Sequence, residues 1–350
     1  MNDKILKVGV IGTGMGRFHL AAFAGMPAVE LTAICDLNVA EARFFAEKFE
    51  VKTVVQDYQD LVKMEALDII TIAAPNHWHA PMAIDALKAG KHVLCEKPMT
   101  VRYEDALEMA QTAQTTGLRL MVQQNQRFNK EAHQLKYYQE QGHLGEIYFG
   151  RVSWIRRKGT PVLNFDKNGT MGRGEWFISR EQAGGGCLYD IGIHLIDLGW
   201  YLMGLPRPVA VYGSTFLKVA SPKLAEKGLP QEVEDLAAFQ IRFENGAALQ
   251  GTVSWDVHNE PDQFVQIFGT AAGASLYPPK IYRGTEVLET VELNIPTNGL
   301  PTTTSYEHFI DCVRNPEKPM LAAAAESATM IRVLNAIQQS AETGHEVVLD

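Results

Sequence analysis

The amino-acid sequence predicts an α/β fold with a doubly wound parallel sheet at the N-terminus, followed by an α+β domain with a large, mostly antiparallel open sheet. Apolar runs alternate with helix-like segments over the first 125 residues, and β-prone segments follow one another from Glu146 onwards. The chain has 350 residues, which exceeds the length of one ordinary domain. We therefore expect two domains, one at 1–125 and one at 126–350.

The predicted strands of the first domain are almost continuously apolar, which is typical of strands buried on both faces of a parallel sheet. They cover residues 5–11, 31–36, 53–55, 67–74, 91–97 and 118–125. Helices lie between them. One is expected from His79 to Ala89, and Thr100 is expected to cap another that Gly117 closes.

The second domain begins with a helix that Asn129 is expected to cap. Asn245 and Gly246 lie between two β-prone runs and predict a tight hairpin. A helix is expected from Asp190 to Met203, and two more from Ser305 and from residue 322 close the chain. The remaining segments predict a largely antiparallel sheet.

Composition excludes several classes of protein. Hydrophobic residues make up 46% and charged residues 21% of the chain, as in folded globular proteins. The formal net charge of -9 argues against a nucleic-acid partner, because binding to phosphates needs a basic surface. No apolar run reaches the roughly 18 residues of a membrane span. The N-terminus has no apolar signal segment before the first strand, so we expect a cytoplasmic protein.

The cysteines do not form a metal or disulfide pattern. Cys35, Cys95, Cys187 and Cys312 are scattered, and no pair has the C-x-x-C spacing. We expect buried thiols and no bound metal.

The segment GTGMGRFH follows the first predicted strand and has the character of a phosphate-binding turn. Glycines in such a turn let the backbone approach a pyrophosphate at the N-terminus of the next helix. Its spacing is unusual, because Arg17 occupies the third glycine position of G-x-G-x-x-G and Gly16 comes one residue early. We expect Gly16 to pack the helix against the strand and the backbone of Met15 to approach the pyrophosphate. The candidate cofactor-binding residues in this turn are Gly12, Thr13, Gly14, Met15 and Gly16.

Asp36 ends the second strand, where a carboxylate accepts hydrogen bonds from ribose hydroxyls and repels a 2'-phosphate. It therefore favours NAD over NADP. The alternative interpretation of the glycine segment alone is an ordinary strand-to-helix turn.

Two further motifs fall at strand ends, the edge where such sheets bind ligands. In AAPNHWH, we expect Ala74, Pro75, Asn76 and His79 to lie beside the cofactor, although a histidine at a helix start also serves as a structural hydrogen-bonding group. In CEKP, Glu96 and Lys97 end the fifth strand, and Pro98 biases Lys97 away from a helix. Lys97 is either a cleft residue facing the cofactor or an ordinary surface lysine.

The segment GGGCLYDIGIHLIDLGWYLMG carries a candidate acid and base. Spacing of +4, +3 and +4 places Asp190, His194, Asp197 and Tyr201 on one helix face. Near a helix start the macrodipole disfavours imidazolium, which keeps His194 available as a neutral base. The alternative is a buried, hydrogen-bonded Asp-His pair.

Three more residues are candidates for substrate contact. Asn125 and Arg127 lie just past the last strand of the first domain, at the seam between the two predicted domains. Trp176 ends a glycine-rich segment, 159–176, that predicts a loop. Its indole is suited to contact with a ligand, and equally to packing or a subunit contact.

Taken together, these motifs resemble the glucose-fructose oxidoreductase, inositol dehydrogenase and MocA (Gfo/Idh/MocA) family. GTGMGRFH, the Asp36 strand end, AAPNHWH, AGKHVLCEKP, QNQRF and GGGCLYDIGIH follow the family's order over nearly all of the chain. The glycine turn departs from the family pattern by being one residue shorter. The resemblance implies a Rossmann domain, a C-terminal sheet that binds substrate and forms dimers or tetramers, and NAD(P) chemistry on a sugar, inositol, other polyol or sugar derivative.

By position, Lys97 matches the family's lysine that contacts substrate and nicotinamide, and Asp190 and His194 match its acid and base. The mechanism this implies has His194 take the hydroxyl proton while Lys97 stabilises the alkoxide. Asp190 orients His194 or binds a neighbouring hydroxyl. With a sugar as the substrate, Asn125 and Arg127 are expected to contact its hydroxyls and Trp176 to stack on its pyranose ring. Two rivals remain: a glycosidase or eliminase that retains and recycles its NAD, and a non-catalytic regulator that senses the cofactor.

Overall fold

The computed structural model describes residues 4–164, 174–230, 232–284, 287, 289–292 and 303–350. Within them the chain forms two compact units. The first contains the residues up to Gln124 together with Thr303–Ile331, and the second contains the described residues between them and Arg332–Asp350.

The first unit is built on a six-stranded parallel sheet. Its strands are β1 (Leu6–Ile11), β2 (Val29–Cys35), β3 (Thr53–Val55), β4 (Ile69–Ile72), β5 (His92–Cys95) and β6 (Leu120–Val122). Their order is β3-β2-β1-β4-β5-β6, so the winding direction reverses between β1 and β4. That reversal is the crevice where doubly wound sheets bind dinucleotides. All six predicted strands are confirmed. The central strands β1, β4 and β5 are almost fully buried apolar runs, as the sequence pattern indicates.

Helices connect these parallel strands. They are α1 (Gly16–Phe23), α2 (Val39–Lys48), α3 (Tyr58–Val62), α4 (His79–Lys88) and α5 (Tyr103–Thr116). The prediction that Thr100 caps a helix is wrong. Helix α5 begins after Arg102, and the Thr100 hydroxyl instead donates to the Arg102 carbonyl in the preceding turn.

The second unit contains a nine-stranded sheet. Its strands are β7 (Ile147–Ile155), β8 (Pro208–Phe216), β9 (Leu236–Phe243), β10 (Ala248–Ser254), β11 (Asp262–Gly269), β12 (Gly273–Leu276), β13 (Lys280–Arg283), β14 (Glu289–Glu292) and β15 (Val347–Val348). The order is β14-β13-β12-β11-β7-β10-β9-β8-β15, with antiparallel pairing except between β7 and β10. The hairpin predicted at Asn245 and Gly246 joins β9 to β10, and Gly246 takes the positive φ of 85° that such a turn requires.

The helices of this unit before residue 303 are mostly short. They are α6 (Lys130–Glu140), α7 (Pro161–Asn164), α8 (Arg180–Ala183), α9 (Ile193–Leu202) and α10 (Ala220–Glu226), with 3-10 turns at Asn125–Phe128 and Glu175–Ile178. Asn129 precedes α6 as predicted, but its side chain makes no capping hydrogen bond there. Helix α9 packs against β7, β10 and β11. It therefore anchors the segment GGGCLYDIGIH to the centre of the sheet.

The division of the chain differs from the predicted boundaries. Residues 303–331 belong to the first unit, although the sequence analysis assigned them to the second domain. Two helices follow residue 303, α11 (Ser305–Arg314) and α12 (Ala324–Thr343). From α11, the Tyr306 ring packs edge-on against Phe23, and Ala323 bridges to Met121 of β6. The cause is tertiary packing between residues far apart in sequence, which local patterns do not report.

No described helix is both long enough and apolar enough to cross a membrane. All four cysteines are buried as free thiols. The cytoplasmic location stays a prediction.

Candidate active site

The three glycines in the turn between β1 and α1 differ in how closely other atoms approach them. Gly12 has a positive φ of 84°, and a Cβ there would lie 2.5 Å from the carbonyl oxygen of Ala73. A Cβ on Gly14 would meet no atom within 4 Å. A Cβ on Gly16 would lie 3.1 Å from Val10 Cγ1. Gly16 therefore provides the close contact between helix and strand that the shortened turn was expected to need.

The N–H groups at the start of α1 are suited to an anion. Among the described residues, the backbone N–H groups of Gly14, Met15 and Gly16 have no backbone acceptor. They lie at the positive end of the helix, and Gly14 and Met15 are exposed. This arrangement fits the pyrophosphate of a dinucleotide.

Asp36 is held in place by the same turn. Its Oδ2 accepts hydrogen bonds from the Thr13 N–H at 2.7 Å and the Thr13 hydroxyl at 2.6 Å. Its Oδ1 accepts from the Asn38 N–H at 2.7 Å. Thr13 is 1% exposed, so both of its donors serve this contact from inside the protein. The carboxylate is therefore oriented before any ligand binds.

Ala74 and Pro75 form the connection after β4, and Asn76 begins a 3-10 turn, Asn76–Trp78. His79 follows at the start of α4 and is fully buried. Its Nδ1 lies 2.8 Å from the carbonyl oxygen of Pro98, and its Nε2 lies 2.8 Å from that of Ala74. Burial lowers the pKa of His79, while the two carbonyls act in the opposite direction.

His79 therefore ties the loop after β4 to the loop after β5. Both of its ring nitrogens face protein carbonyls, and its contact with the cofactor stays a prediction. Of the two roles open to a histidine at this helix start, the structure supports the structural one.

Glu96 and Lys97 follow β5 and differ in their surroundings. Lys97 is half-buried and is joined to Pro98 by a cis peptide bond. Glu96 is only 8% exposed; its Oε1 lies 2.9 Å from Nε2 of His19, and its Oε2 accepts from the Lys97 N–H at 3.2 Å. Both carboxylate oxygens are thus engaged within the protein. The contact of Glu96 with the cofactor stays a prediction.

Asp190 and His194 are partly exposed to solvent in an otherwise buried segment. Every other residue from Leu188 to Leu202 is buried, whereas these two are half-buried. The predicted helix from Asp190 starts instead with a π-helical turn, Leu188–Gly192, and continues as α9. Turns of this kind occur frequently at functional sites.

Trp255, which follows β10, fixes the carboxylate of Asp190. Its indole Nε1 donates to Asp190 Oδ2 at 2.9 Å, and the Trp255 side chain is 1% exposed. The ring of His194 lies 6.3 Å from the ring of Trp154, centroid to centroid. Both site residues are thus bordered by tryptophans from the sheet.

The other two residues of the predicted polar face are buried. Asp197 forms a bidentate ion pair with Arg127, with Nε–Oδ2 and Nη2–Oδ1 distances of 2.8 and 2.7 Å. The guanidinium of Arg127 also lies 4.9 Å from the centre of the Tyr201 ring. Arg127 is 1% exposed, which corrects the expectation that it contacts sugar hydroxyls. It joins the start of the second unit to α9 instead.

A buried carboxylate supports the start of this segment. Glu234 Oε1 accepts from the N–H groups of Gly186 and Leu188 at 2.8 and 3.0 Å. Burial raises the pKa of Glu234, although these backbone donors act in the opposite direction. A Cβ on Gly186 would overlap the carbonyl oxygen of Glu234. This close approach explains a glycine in the segment GGGC.

The last two candidates for substrate contact lie apart from these groups in the sequence. Asn125 is exposed at the start of a 3-10 turn. Trp176 is half-buried and stacks on Phe177, with 3.9 Å between ring centroids. Of the predicted loop 159–176, residues 161–164 form α7, and residues 165–173 lie outside the described residues. The sugar-binding roles of Asn125 and Trp176 stay predictions.

Three residues that hold candidate residues or their segments in place escaped the sequence analysis: His19, Glu234 and Trp255. His19 belongs to the quoted motif GTGMGRFH, so its place was visible, but no local pattern shows that it contacts Glu96. Glu234 and Trp255 lie far from Asp190 in sequence. Only the fold brings Trp255 to Asp190, and Glu234 to the N–H groups of Gly186 and Leu188.

Within the described parts of the chain, no three His, Cys, Asp or Glu side chains are grouped so that they could hold a metal ion.

Comparison with known proteins agrees with this geometry. Residues 6–124 match the family model described as an oxidoreductase family with an NAD-binding Rossmann fold, and residues 132–275 match the Gfo/Idh/MocA C-terminal domain. The chain belongs to the Gfo/Idh/MocA family. Its first unit is an NAD-binding Rossmann fold, and NAD is its cofactor.

Individual known proteins resemble most or all of the chain. The D-glucoside 3-dehydrogenase of Escherichia coli K12 is 32% identical over 361 residues, covering 100% of this chain and 99% of that protein. The levoglucosan dehydrogenase of Pseudarthrobacter phenanthrenivorans is 30% identical over 288 residues, covering 76% and 72%. The crystal structure of an NAD-binding protein from Listeria innocua is 26% identical, covers 99% of this chain and 97% of its own, and has a TM-score of 0.80.

Proposed function

We propose that this Gfo/Idh/MocA protein is an NAD-dependent dehydrogenase that oxidises a secondary ring hydroxyl of a sugar or glycoside to a ketone. The observation that carries the proposal is the exposure of Asp190 and His194 in a segment that is buried everywhere else from Leu188 to Leu202. A carboxylate and an imidazole opened in this way are suited to proton transfer. The names of the two dehydrogenase relatives support a sugar as the substrate.

The first unit has the groups needed to hold NAD. We assign the N–H groups of Gly14, Met15 and Gly16 to the pyrophosphate, and the oriented carboxylate of Asp36 to the ribose hydroxyls. We place Ala74, Pro75 and Asn76 beside the cofactor, because their loop follows β4 next to the point where the winding reverses. When bound, nicotinamide supplies the hydride acceptor at C4.

The remaining chemistry falls to Lys97, His194 and Asp190. His194 accepts the proton of the reacting hydroxyl, while the carbon that bears this hydroxyl loses its hydride and becomes the carbonyl carbon of a ketone. Lys97 donates a hydrogen bond to the oxygen as it gains negative charge. Asp190, already oriented by Trp255, accepts from a hydroxyl beside the reacting one. In the reverse direction, His194 returns the proton to the ketone oxygen.

We also propose assembly into a homodimer or homotetramer through the second sheet. Large aromatic side chains that are exposed on its strands support this proposal. They are Tyr148, Tyr212 and Tyr282, which are 53%, 49% and 40% exposed.

A panel of free sugars, inositols and glycosides, each tested with NAD and with NADP, checks the proposed reaction. We expect the absorbance of reduced nicotinamide to rise with a glucoside or a related pyranoside and NAD. Release of sugar from a glycoside, with retained cofactor and no accumulation of NADH, would instead identify the glycosidase or eliminase. No turnover in either assay, with retained NAD affinity, would favour a cofactor-sensing regulator.

Replacing Thr13 by valine is expected to weaken the preference for NAD over NADP. The valine keeps the β-branched shape and the backbone donor but removes the hydroxyl that holds Asp36 Oδ2. Loss of a hydrogen bond to a charged group lowers the ratio of kcat/KM values for NAD and NADP by about tenfold. Thr13→Ser keeps the hydroxyl and is the matched control. Equal ratios in the valine and serine variants would show that the hydroxyl does not orient Asp36 for selectivity.

A further inference from the structure

A buried contact connects the helix of the glycine turn to the end of β5. His19 lies on α1, is fully buried, and places its Nε2 2.9 Å from Glu96 Oε1. The second oxygen of Glu96 accepts from the backbone N–H of Lys97. The connection from α1 to Lys97 therefore consists of one imidazole and one carboxylate.

The surroundings keep Glu96 ionised. Burial alone would raise the pKa of Glu96, but the hydrogen bond from His19 and the nearby charges of His19 and Lys97 outweigh it and hold the pKa below its usual value. Tyr306 packs edge-on against His19 with 5.2 Å between ring centroids. Burial, together with the charge of Glu96, raises the pKa of Tyr306 to about 12, so its phenol stays neutral. The negatively charged carboxylate of Glu96 therefore lies beside the backbone N–H of Lys97.

The position of Glu96 separates it from direct chemistry. Its oxygens are engaged by His19 and by the Lys97 N–H, and the side chain is 11% exposed. The direction of the Lys97 side chain depends on the backbone at the end of β5, which Glu96 holds from one side. His79 holds the other side of this turn through the Pro98 carbonyl.

We propose that His19 and Glu96 act as a positioning pair that aligns Lys97 with the substrate oxygen and transmits the position of the glycine-turn helix to it. The inference rests on the proposed function, in which Lys97 stabilises the developing alkoxide. Neither His19 nor Glu96 touches substrate in this proposal. A shift of about 1 Å in a catalytic group lowers turnover by roughly a hundredfold, so a small movement of this turn is enough to matter.

Four variants test the pair: Glu96→Gln, His19→Ala, His19→Gln and the double variant Glu96→Gln/His19→Ala. We expect Glu96→Gln and His19→Ala to lower kcat by about ten- to a hundredfold, with KM for NAD within about threefold of the wild-type value. The double variant should be no slower than the slower single variant, because the residues act as one unit. His19→Gln retains a side-chain N–H donor and should recover part of kcat.

A deuterated substrate provides a readout that a general loss of stability would not change. If Lys97 is misplaced, hydride transfer becomes slower relative to product release, and the primary isotope effect on kcat increases. His92→Gln is the control for replacing a histidine close to β5, since His92 is half-buried and lies at the end of β5 opposite to Glu96. We expect wild-type kcat and isotope effect from that variant. Thermal unfolding confirms that each variant is folded.

The outcomes separate this inference from the proposed function. If Lys97→Ala abolishes turnover while Glu96→Gln and His19→Ala keep kcat within about twofold of wild type, the positioning pair is refuted and the function of Lys97 stands. A large rise in KM for NAD with unchanged kcat would make Glu96 a cofactor ligand and also overturn the inference. Wild-type turnover in Lys97→Ala would instead refute the role assigned to the lysine. A folding failure confined to His19→Ala leaves the decision to Glu96→Gln, which keeps the size of the side chain.

Discussion

Alanine at Lys97 or His194 is expected to remove most turnover while NAD still binds. Loss of the proton acceptor at His194 should lower kcat by about 10²–10⁴-fold. Loss of the Lys97 ammonium, which stabilises charge on the substrate oxygen, should lower kcat by about 10²–10³-fold. The assigned pyrophosphate and ribose contacts belong to other residues, so the Kd for NAD should change little. Steady-state kinetics and NAD titration by tryptophan fluorescence measure the two effects separately.

Surface residues of the same type provide the controls for these variants. Lys88, at the end of α4, and His143, after α6, are both exposed. Alanine at either position should leave kcat unchanged. Loss of NAD binding in both Lys97→Ala and His194→Ala would contradict the assignment, because it would move both residues from the reaction to the cofactor.

Alanine at Arg127 or Asp197 is expected to cause the largest loss of stability. Both side chains are 1% exposed. If one of them is removed, the charge of the other therefore stays buried with no solvent to stabilise it. Burial already raises the pKa of Asp197 even with the Arg127 guanidinium beside it. Removing one member of a buried pair costs about 3–5 kcal/mol. The free energy of unfolding in urea, followed by tryptophan fluorescence, measures this cost.

An exposed ion pair in the same unit is the matched comparison. Arg207 and Glu244 lie 2.9 Å apart with side chains 58% and 50% exposed. Arg207→Ala should therefore reduce the free energy of unfolding by less than about 1 kcal/mol. The double variant Arg127→Met/Asp197→Leu should be more stable than either alanine variant, because it buries no unpaired charge. Similar small losses from Arg127→Ala and Arg207→Ala would contradict the role assigned to the buried pair.

The strands of the first unit could be predicted because their burial is recorded locally. A run such as Ile69–Ile72 is apolar at every position, and only a strand with helices on both faces buries all of it. The glycine turn was also predictable, because close contacts at Gly12 and Gly16 leave no room for a larger side chain. A Cβ on Gly12 would lie against the Ala73 carbonyl, and one on Gly16 against Val10. Family motifs then placed Lys97, Asp190 and His194 in order along the chain.

Side chains that pair across long distances could not be predicted in this way. Helical spacing placed Asp197 on the same face as His194, but Arg127 comes from 70 positions earlier and buries it. The same limit applies to Trp255, whose hydrogen bond to Asp190 spans 65 positions. Spacing along one helix shows which residues share a face. Only tertiary packing decides which of them remain accessible to solvent or to a ligand.

The return of residues 303–331 to the first unit has a consequence for synthesis on the ribosome. When residue 124 has emerged, Phe23 and His19 still lack Tyr306, and β6 lacks the partner that Ala323 supplies. The second sheet, up to β14, must be translated before these contacts can form. Domains usually complete their folding in order from the N-terminus. Here the Rossmann unit is begun first but completed only after most of the second sheet has been translated, and a fragment cut at residue 125 would expose the apolar surface that α11 covers.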